Sequence, residues 1–142
     1  MRKAIAILVV TLGCAAQAGI VSAQDAAQFF DLKGRWLATS ESIVLGNALH
    51  HGAGQDKPRL SAVEITLTIE GQDGRRFWGT VASQADREPL VGVIGFDNKT
   101  ISAHDSDGAL QGTIVDKDTV EVIYSHTGNS TVVTAARFKR QK

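Results

Sequence analysis

The 142-residue chain lacks several features that mark large functional classes. Its one cysteine, Cys14, lies near the N-terminus, so no disulfide can form within the chain and packing must hold the fold together. Basic and acidic residues number 15 each, without a basic cluster, which argues against nucleic acid as a partner. No segment has the roughly 20 consecutive apolar residues of a membrane span. Apart from the N-terminal segment, no stretch shows a helical period either.

The N-terminal segment has the layout of a secretory signal peptide. Arg2 and Lys3 provide a positive start, an apolar stretch follows, and two small-x-small tripeptides end at Ala18 and Ala23. We expect cleavage after Ala23, so that residues 1–23 are the signal peptide and the protein is exported to the periplasm or the extracellular space. A lipoprotein anchored through Cys14 fits less well, because the third residue before that cysteine is a threonine rather than a large aliphatic residue.

After a short leader, residues 24–33, the sequence predicts one all-β domain over residues 34–142. The clearest signal is the period of two formed by Val63, Ile65, Leu67 and Ile69, which is typical of a strand with one dry face. Short connections rich in Asp, Asn and Gly separate the apolar runs and suit tight hairpins. The predicted strands cover residues 36–45, 63–69, 76–83, 89–96, 100–104, 109–115, 119–126 and 131–139.

Consecutive hairpins place sequential strands side by side and antiparallel. Eight strands joined in this way predict an up-and-down antiparallel barrel, in which closure removes the exposed sheet edges. An open β-sandwich of two sheets is the alternative.

One connection is longer than the others and runs from Gly46 to Leu60. It is rich in glycine and carries His50 and His51, so we expect a lid or flap. Adjacent residues on an extended backbone point in opposite directions, and no recognisable spacing brings further ligands to them. The sequence therefore predicts no metal site and no cofactor.

The motif Gly34-Arg35-Trp36 opens the first strand directly after the leader. Together with the long loop after that strand and Arg137 in the last strand, it resembles the calycins, the lipocalin-like and avidin-like small barrels. The resemblance implies that Gly34, Trp36 and Arg137 are structural residues, with Arg137 packed over Trp36 at the closed end of the barrel. It also implies that the long loop, with its two histidines, covers the open end.

Alternation along the first strand predicts that Trp36, Ala38, Ser40, Ser42 and Val44 point into the barrel. For the third strand two inward faces stay open, one with Phe77 and one with Trp78. The predicted ligand-binding residues are Trp36, Ser40, Ser42, Phe77, Trp78 and Tyr124.

The functional hypothesis is a non-enzymatic exported barrel that binds a small apolar or amphipathic molecule in its lumen. The alternative is a protein-interaction module, such as an inhibitor or envelope partner, whose lumen is filled by its own side chains. The strand around residues 90–96 is apolar on both faces, so Leu90, Ile94 and Phe96 are candidates for self-association. A third hypothesis is a small enzyme with Glu41 or His104 in the barrel mouth, although no catalytic motif supports it.

Overall fold

The computed structural model describes residues 29–51, 57–127 and 130–142. Within the first range, the backbone of Leu49 is described but its side chain is not. The predicted signal peptide, most of the leader and the middle of the long loop lie outside the described residues. The described chain forms ten β-strands and one short 3₁₀ helix, η1. The strands are β1 (Gly34–Thr39), β2 (Glu41–Gly46), β3 (Arg59–Ser61), β4 (Glu64–Asp73), β5 (Arg76–Ala82), β6 (Arg87–Ile94), β7 (Thr100–His104), β8 (Gly108–Asp116), β9 (Thr119–His126) and β10 (Ser130–Arg140), and η1 spans Leu49–His51.

All strands belong to one antiparallel sheet that closes on itself through the pairing of β1 with β10. β1 and β2 are two parts of one bent strand, because Thr39 faces Glu64 and Ser42 faces Ser61 in an unbroken register. β3 and β4 likewise continue each other. The sheet is therefore the predicted closed barrel of eight strands, and the open sandwich is excluded.

Ser40 marks the bend between β1 and β2. Its amide donates to the carbonyl of Val63 at 2.8 Å, and its hydroxyl oxygen accepts the amide of Val63 at 3.1 Å. Side-chain and backbone hydrogen bonds thus replace part of the ladder where the strand changes direction, and Ser40 itself is fully buried.

The core fills the inside of the barrel. The five residues of the first strand that alternation places inward are all buried, and Leu67 and Ile69 join them from β4. On the third strand Phe77 is the inward aromatic residue, at 3% exposure, whereas Trp78 lies on the outer face at 47%. Trp78 therefore does not line the lumen.

The leader closes one end of the barrel, which we call the leader end. Trp36 is buried there and donates its indole N–H to the carbonyl of Leu32 at 2.9 Å. Leu32 is itself buried, and the ring of Phe30 lies 6.5 Å from that of Trp36.

The arginine that packs over Trp36 is Arg140, not Arg137. Its guanidinium carbon lies 4.0 Å from the indole centroid, a cation–π geometry. The same group donates to the carbonyls of Lys33 at 2.6 Å and Asp31 at 2.7 Å, so it ties the leader to the last strand. Arg137 points outward and forms an exposed ion pair with Glu121. The expected contact exists, but the expectation was wrong about the residue that makes it.

The outer face carries an apolar group on β5 and β6. Trp78 lies opposite Val91, and Val93 follows on the same face of β6. Phe96, in the turn after β6, is 95% exposed and lies 5.1 Å from the guanidinium of Arg75. Leu90 and Ile94 are each only 2% exposed and belong to the core. They are thus not placed for self-association, and of the three residues predicted for it only Phe96 lies on the surface. Among the described residues, no helix has the length and apolar character needed to span a membrane.

The closure of the leader end predicts unequal effects of two arginine substitutions. Arg140→Ala removes the cation–π contact and the hydrogen bonds to leader carbonyls, so we expect the free energy of unfolding to fall by about 2 kcal/mol. Arg137→Ala removes one exposed ion pair and should cost less than about 1 kcal/mol. Urea unfolding measures both. Equal losses would contradict the role assigned to Arg140.

Candidate ligand site at the barrel mouth

The end of the barrel opposite the leader is here called the mouth. Four connections meet there, because hairpins in an up-and-down barrel alternate between its ends: the long loop after β2 and the turns after β5, β7 and β9. Beneath them lies a cavity of about 60 Å³. Its lining is polar toward the mouth and aliphatic or aromatic below. The lining residues are Ser40, His50, His51, Ile65, Leu67, Val81, Asp105, Leu110, Val122, Tyr124, Thr134, Ala136 and Phe138.

The long loop is held to the barrel through His50. Its Nδ1 lies 2.7 Å from the hydroxyl of Ser83, and its Nε2 lies 3.0 Å from a carboxylate oxygen of Glu88. Glu88 is 6% exposed, and the hydroxyl of Ser106 donates to its other oxygen. A buried carboxylate without such partners would be costly, so this network stabilises both Glu88 and the position of the loop. Ala48 packs beside it against Val44 and Val132.

Serine, histidine and glutamate in a chain have the composition of a hydrolase triad, but the geometry assigns Ser83 another role. Its oxygen already accepts the amides of Ala85 at 3.1 Å and Asp86 at 3.3 Å. With both lone pairs used, the hydroxyl donates to Nδ1 of His50, and the proton on Nε2 is donated to Glu88. Ser83 therefore stabilises the turn and fixes the histidine tautomer.

Tyr124 lies at the centre of a second polar group. Its hydroxyl donates to Asp107 at 2.8 Å and lies 3.2 Å from Nδ1 of His126. The other ring nitrogen of His126 lies 2.9 Å from the hydroxyl of Ser130. The phenol passes directly over Gly108, where any side chain would overlap it. A glycine at this position thus allows the tyrosine to reach the mouth.

The electrostatic environment of Tyr124 is negative. Burial raises the pKa of its phenol first, followed by the hydrogen bond to Asp107 and the negative charges of Asp105, Asp107 and Glu88. Each of these carboxylates disfavours a further negative charge nearby. The phenol is therefore a hydrogen-bond donor at any physiological pH.

The predicted site residues fall in several places. Ser40 and Tyr124 line the mouth cavity, and the lid residues His50 and His51 line it as well. Ser42 lies behind Ser40 and bonds the hydroxyl of Thr134 at 2.7 Å.

Trp36 and Phe77 lie deeper, around a second cavity of about 20 Å³ close to the leader end. Trp78, on the outer face, is remote from both cavities, which corrects its assignment as a lumen residue. The two residues suggested for catalysis, Glu41 and His104, are also exposed on the outside of the barrel.

Two important residues of the mouth were missed at the level of the sequence. Glu88 stands two positions before Leu90 on β6, so alternation alone would have placed its carboxylate inward. Asp105 lies in the short connection between the predicted strands 100–104 and 109–115, and it is a turn residue, because its Oδ1 accepts the amide of Gly108 at 2.8 Å. Its contribution to the cavity wall follows from the pairing of β7 with β8 and had no local signal.

Two groups of side chains have the donor atoms and spacing of a cation site. Oxygen or nitrogen atoms of His50, Asp86 and Glu88 lie within 4.8 Å of one another, as do carboxylate oxygens of Glu88, Asp105 and Asp107. Glu88 belongs to both groups. His51 belongs to neither, and its Nδ1 lies 2.9 Å from the hydroxyl of Ser61.

The chain matches no protein-family model, no curated protein and no solved structure. The functional argument therefore depends on the fold and on the mouth of the barrel.

The burial of His51 predicts a pH dependence. Burial lowers the pKa of its imidazole, and the nearby charges of His50, Arg59 and His126 lower it further. The folded-state pKa thus lies below the unfolded-state value, so the stability linked to the neutral ring is complete above about pH 6.5 and is lost as the pH falls toward the folded-state pKa. Between about pH 7.5 and about pH 5, wild type should lose more unfolding free energy than His51→Gln, which does not titrate. Chemical denaturation at both pH values measures the difference, and equal losses would contradict it.

Proposed function

We propose that the protein is a calycin-like binding protein that holds a small apolar or amphipathic molecule in the lumen of its barrel. The observation that carries this proposal is the mouth cavity, which is lined by apolar side chains below and by hydroxyl, imidazole and carboxylate groups above. Such a mixture of an apolar wall with a few placed polar groups is typical of ligand sites in small barrels.

The polarity of the cavity favours an amphipathic ligand. Leu67, Val81 and Phe138 would contact an apolar part, whereas Ser40 and Tyr124 offer hydroxyl groups to a polar end. The contact between His50 and Glu88 holds η1, the described start of the loop, beside this site, which supports a role of this segment in controlling entry.

The ligand is small. A dry cavity of roughly 150 Å³ is large enough for benzene. The mouth cavity, at about 60 Å³, therefore suits a chain of a few carbon atoms. A longer ligand would require the loop or the mouth side chains to move.

Export is part of the proposal. The signal-peptide layout of residues 1–23 supports a periplasmic or extracellular location, where a binding protein of this kind would meet small molecules from outside the cell.

A matched pair of substitutions tests the lumen site. Ala136 lines the mouth cavity, and the adjacent Ala135 points outward. Ala136→Leu should fill the cavity and abolish ligand-induced thermal stabilisation, whereas Ala135→Leu should leave it unchanged. The probes are n-butanol, n-butylamine and n-butyrate, and thermal unfolding with native mass spectrometry provides the measurement.

Wild-type protein that none of the probes stabilises would overturn the lumen-binding function. Equal loss of stabilisation in both variants would also contradict it. Should Ala136→Leu not fold, since overpacking can cost about 1–3 kcal/mol, Ala136→Val provides a smaller step with the same expected direction.

A second candidate function, contact with another protein, is favoured by the exposed Phe96 and by the outer apolar group of Trp78, Val91 and Val93. Contiguous exposed apolar patches are typical of interaction surfaces. We expect Phe96→Ser and Val91→Ser to lower the sedimentation coefficient at high protein concentration if these residues join two copies of the chain. Leu60→Ser is the control, since Leu60 is 88% exposed on a different part of the barrel. A wild-type protein that sediments as a monomer at every concentration would contradict self-association.

A further inference from the structure

Three carboxylates converge at the mouth. Glu88 comes from β6, and Asp105 and Asp107 come from the turn between β7 and β8; one oxygen of each lies within 4.8 Å of the others. Like charges at this distance repel each other, and the buried position of Glu88 weakens the screening by water.

The neighbouring positive groups do not balance this charge. Among the described residues, the ion-pair partners of the three carboxylates are two histidines: His50 lies 3.0 Å from Glu88, and His126 lies 3.7 Å from Asp107. Even with both imidazoles protonated, the group would keep one negative charge. No lysine or arginine of the described residues lines the cavity. His51 also lines the cavity and Arg59 donates to its carbonyl at 3.0 Å, so the excess of negative charge is local to the three carboxylates and is not a property of the whole mouth.

Of the three carboxylates, Asp105 is the one that lines the cavity wall. The hydrogen bonds that it accepts from the amides of Asp107 and Gly108 end on Oδ1, which also lies 3.4 Å from the hydroxyl of Tyr124. Oδ2 accepts no hydrogen bond from the described residues. The carboxylate therefore keeps an acceptor oxygen at the polar end of an otherwise apolar cavity.

We infer that the preferred ligand is a small alkyl amine, whose ammonium group binds Asp105 in the field of Glu88 and Asp107 while its apolar part occupies the lumen. This inference rests on the proposed lumen function and specifies the chemistry of the ligand. An ammonium group donates up to three hydrogen bonds and carries a charge opposite to that of the three carboxylates. A carboxylate ligand would meet repulsion, and a neutral alcohol would gain hydrogen bonds without charge.

The test compares three ligands with the same four-carbon chain and different head groups. Isothermal titration calorimetry of the full-length protein in EDTA should rank n-butylammonium first, n-butanol at least about tenfold weaker, and n-butyrate without measurable binding. Asp105→Asn keeps the Oδ1 acceptor but removes the charge. It should reduce the preference for the amine over the alcohol about tenfold or more and leave the affinity for the alcohol unchanged.

Two further variants separate local recognition from general charge. Glu88→Gln should lower the amine preference by a smaller factor than Asp105→Asn, because Glu88 does not line the cavity. Asp73→Asn removes an exposed carboxylate at the leader end and should change nothing. Asp105→Asn retains the acceptor oxygen of the turn, so thermal unfolding should show that this variant is folded. If it is not folded, the effect of Glu88→Gln and of salt on amine binding tests whether the carboxylate charge causes the amine preference.

The outcomes distinguish this inference from the function on which it rests. Equal affinity for the alcohol and the amine would overturn the inference and support lumen binding. Absence of binding for all three probes would overturn both. The last comparison is a titration with Ca²⁺ or Zn²⁺ in buffer without EDTA. Metal binding that depends on Asp105, in a protein that does not prefer the amine, would show that the carboxylates bind a metal ion. That result would overturn the inference.

Discussion

The closure of the barrel between its first and last strands is the constraint on which the other features depend. β1 pairs with β10 only near the leader end, at Trp36 and Leu37, while β2 continues the pairing toward the mouth. Arg140 reinforces this short seam, because its guanidinium covers Trp36 and binds carbonyls of the leader. A chain without disulfides thus obtains a closed sheet, a dry interior and two chemically different ends from backbone pairing and one cationic contact.

The polar mouth follows from the same alternation that builds the apolar core. Inward positions near the leader end carry Trp36 and Phe77, whereas inward positions toward the mouth carry Ser40 and Glu88. A carboxylate at such a position must be hydrogen-bonded, and His50 from the long loop supplies one of the partners. The position of the loop and the charge of the mouth are therefore parts of one network, so a change in one should affect the other.

The predictions from the sequence succeeded where a local period was sufficient. The inward set of β1 and β2 follows from alternation and is confirmed, as is the count of eight strands. The expectation for Arg137 was wrong, although alternation along the last strand predicts the correct residue. Arg140 lies on the same inward face as Phe138, whereas Arg137 lies on the other face of the strand. For β5, period two could not choose between Phe77 and Trp78, because both alternating sets are largely apolar.

The sequence by itself determined the strands, their order and the face that each first-strand residue presents, because these properties depend on neighbours along the chain. Only the tertiary structure decided which side chains meet at the mouth. Glu88, Asp105 and Tyr124 are far apart in sequence, and their proximity depends on how the strands are staggered around the closed barrel. His50, from the long loop, lies against Glu88 of β6, so the function of the two adjacent histidines in the glycine-rich loop depends on contacts that no local pattern encodes.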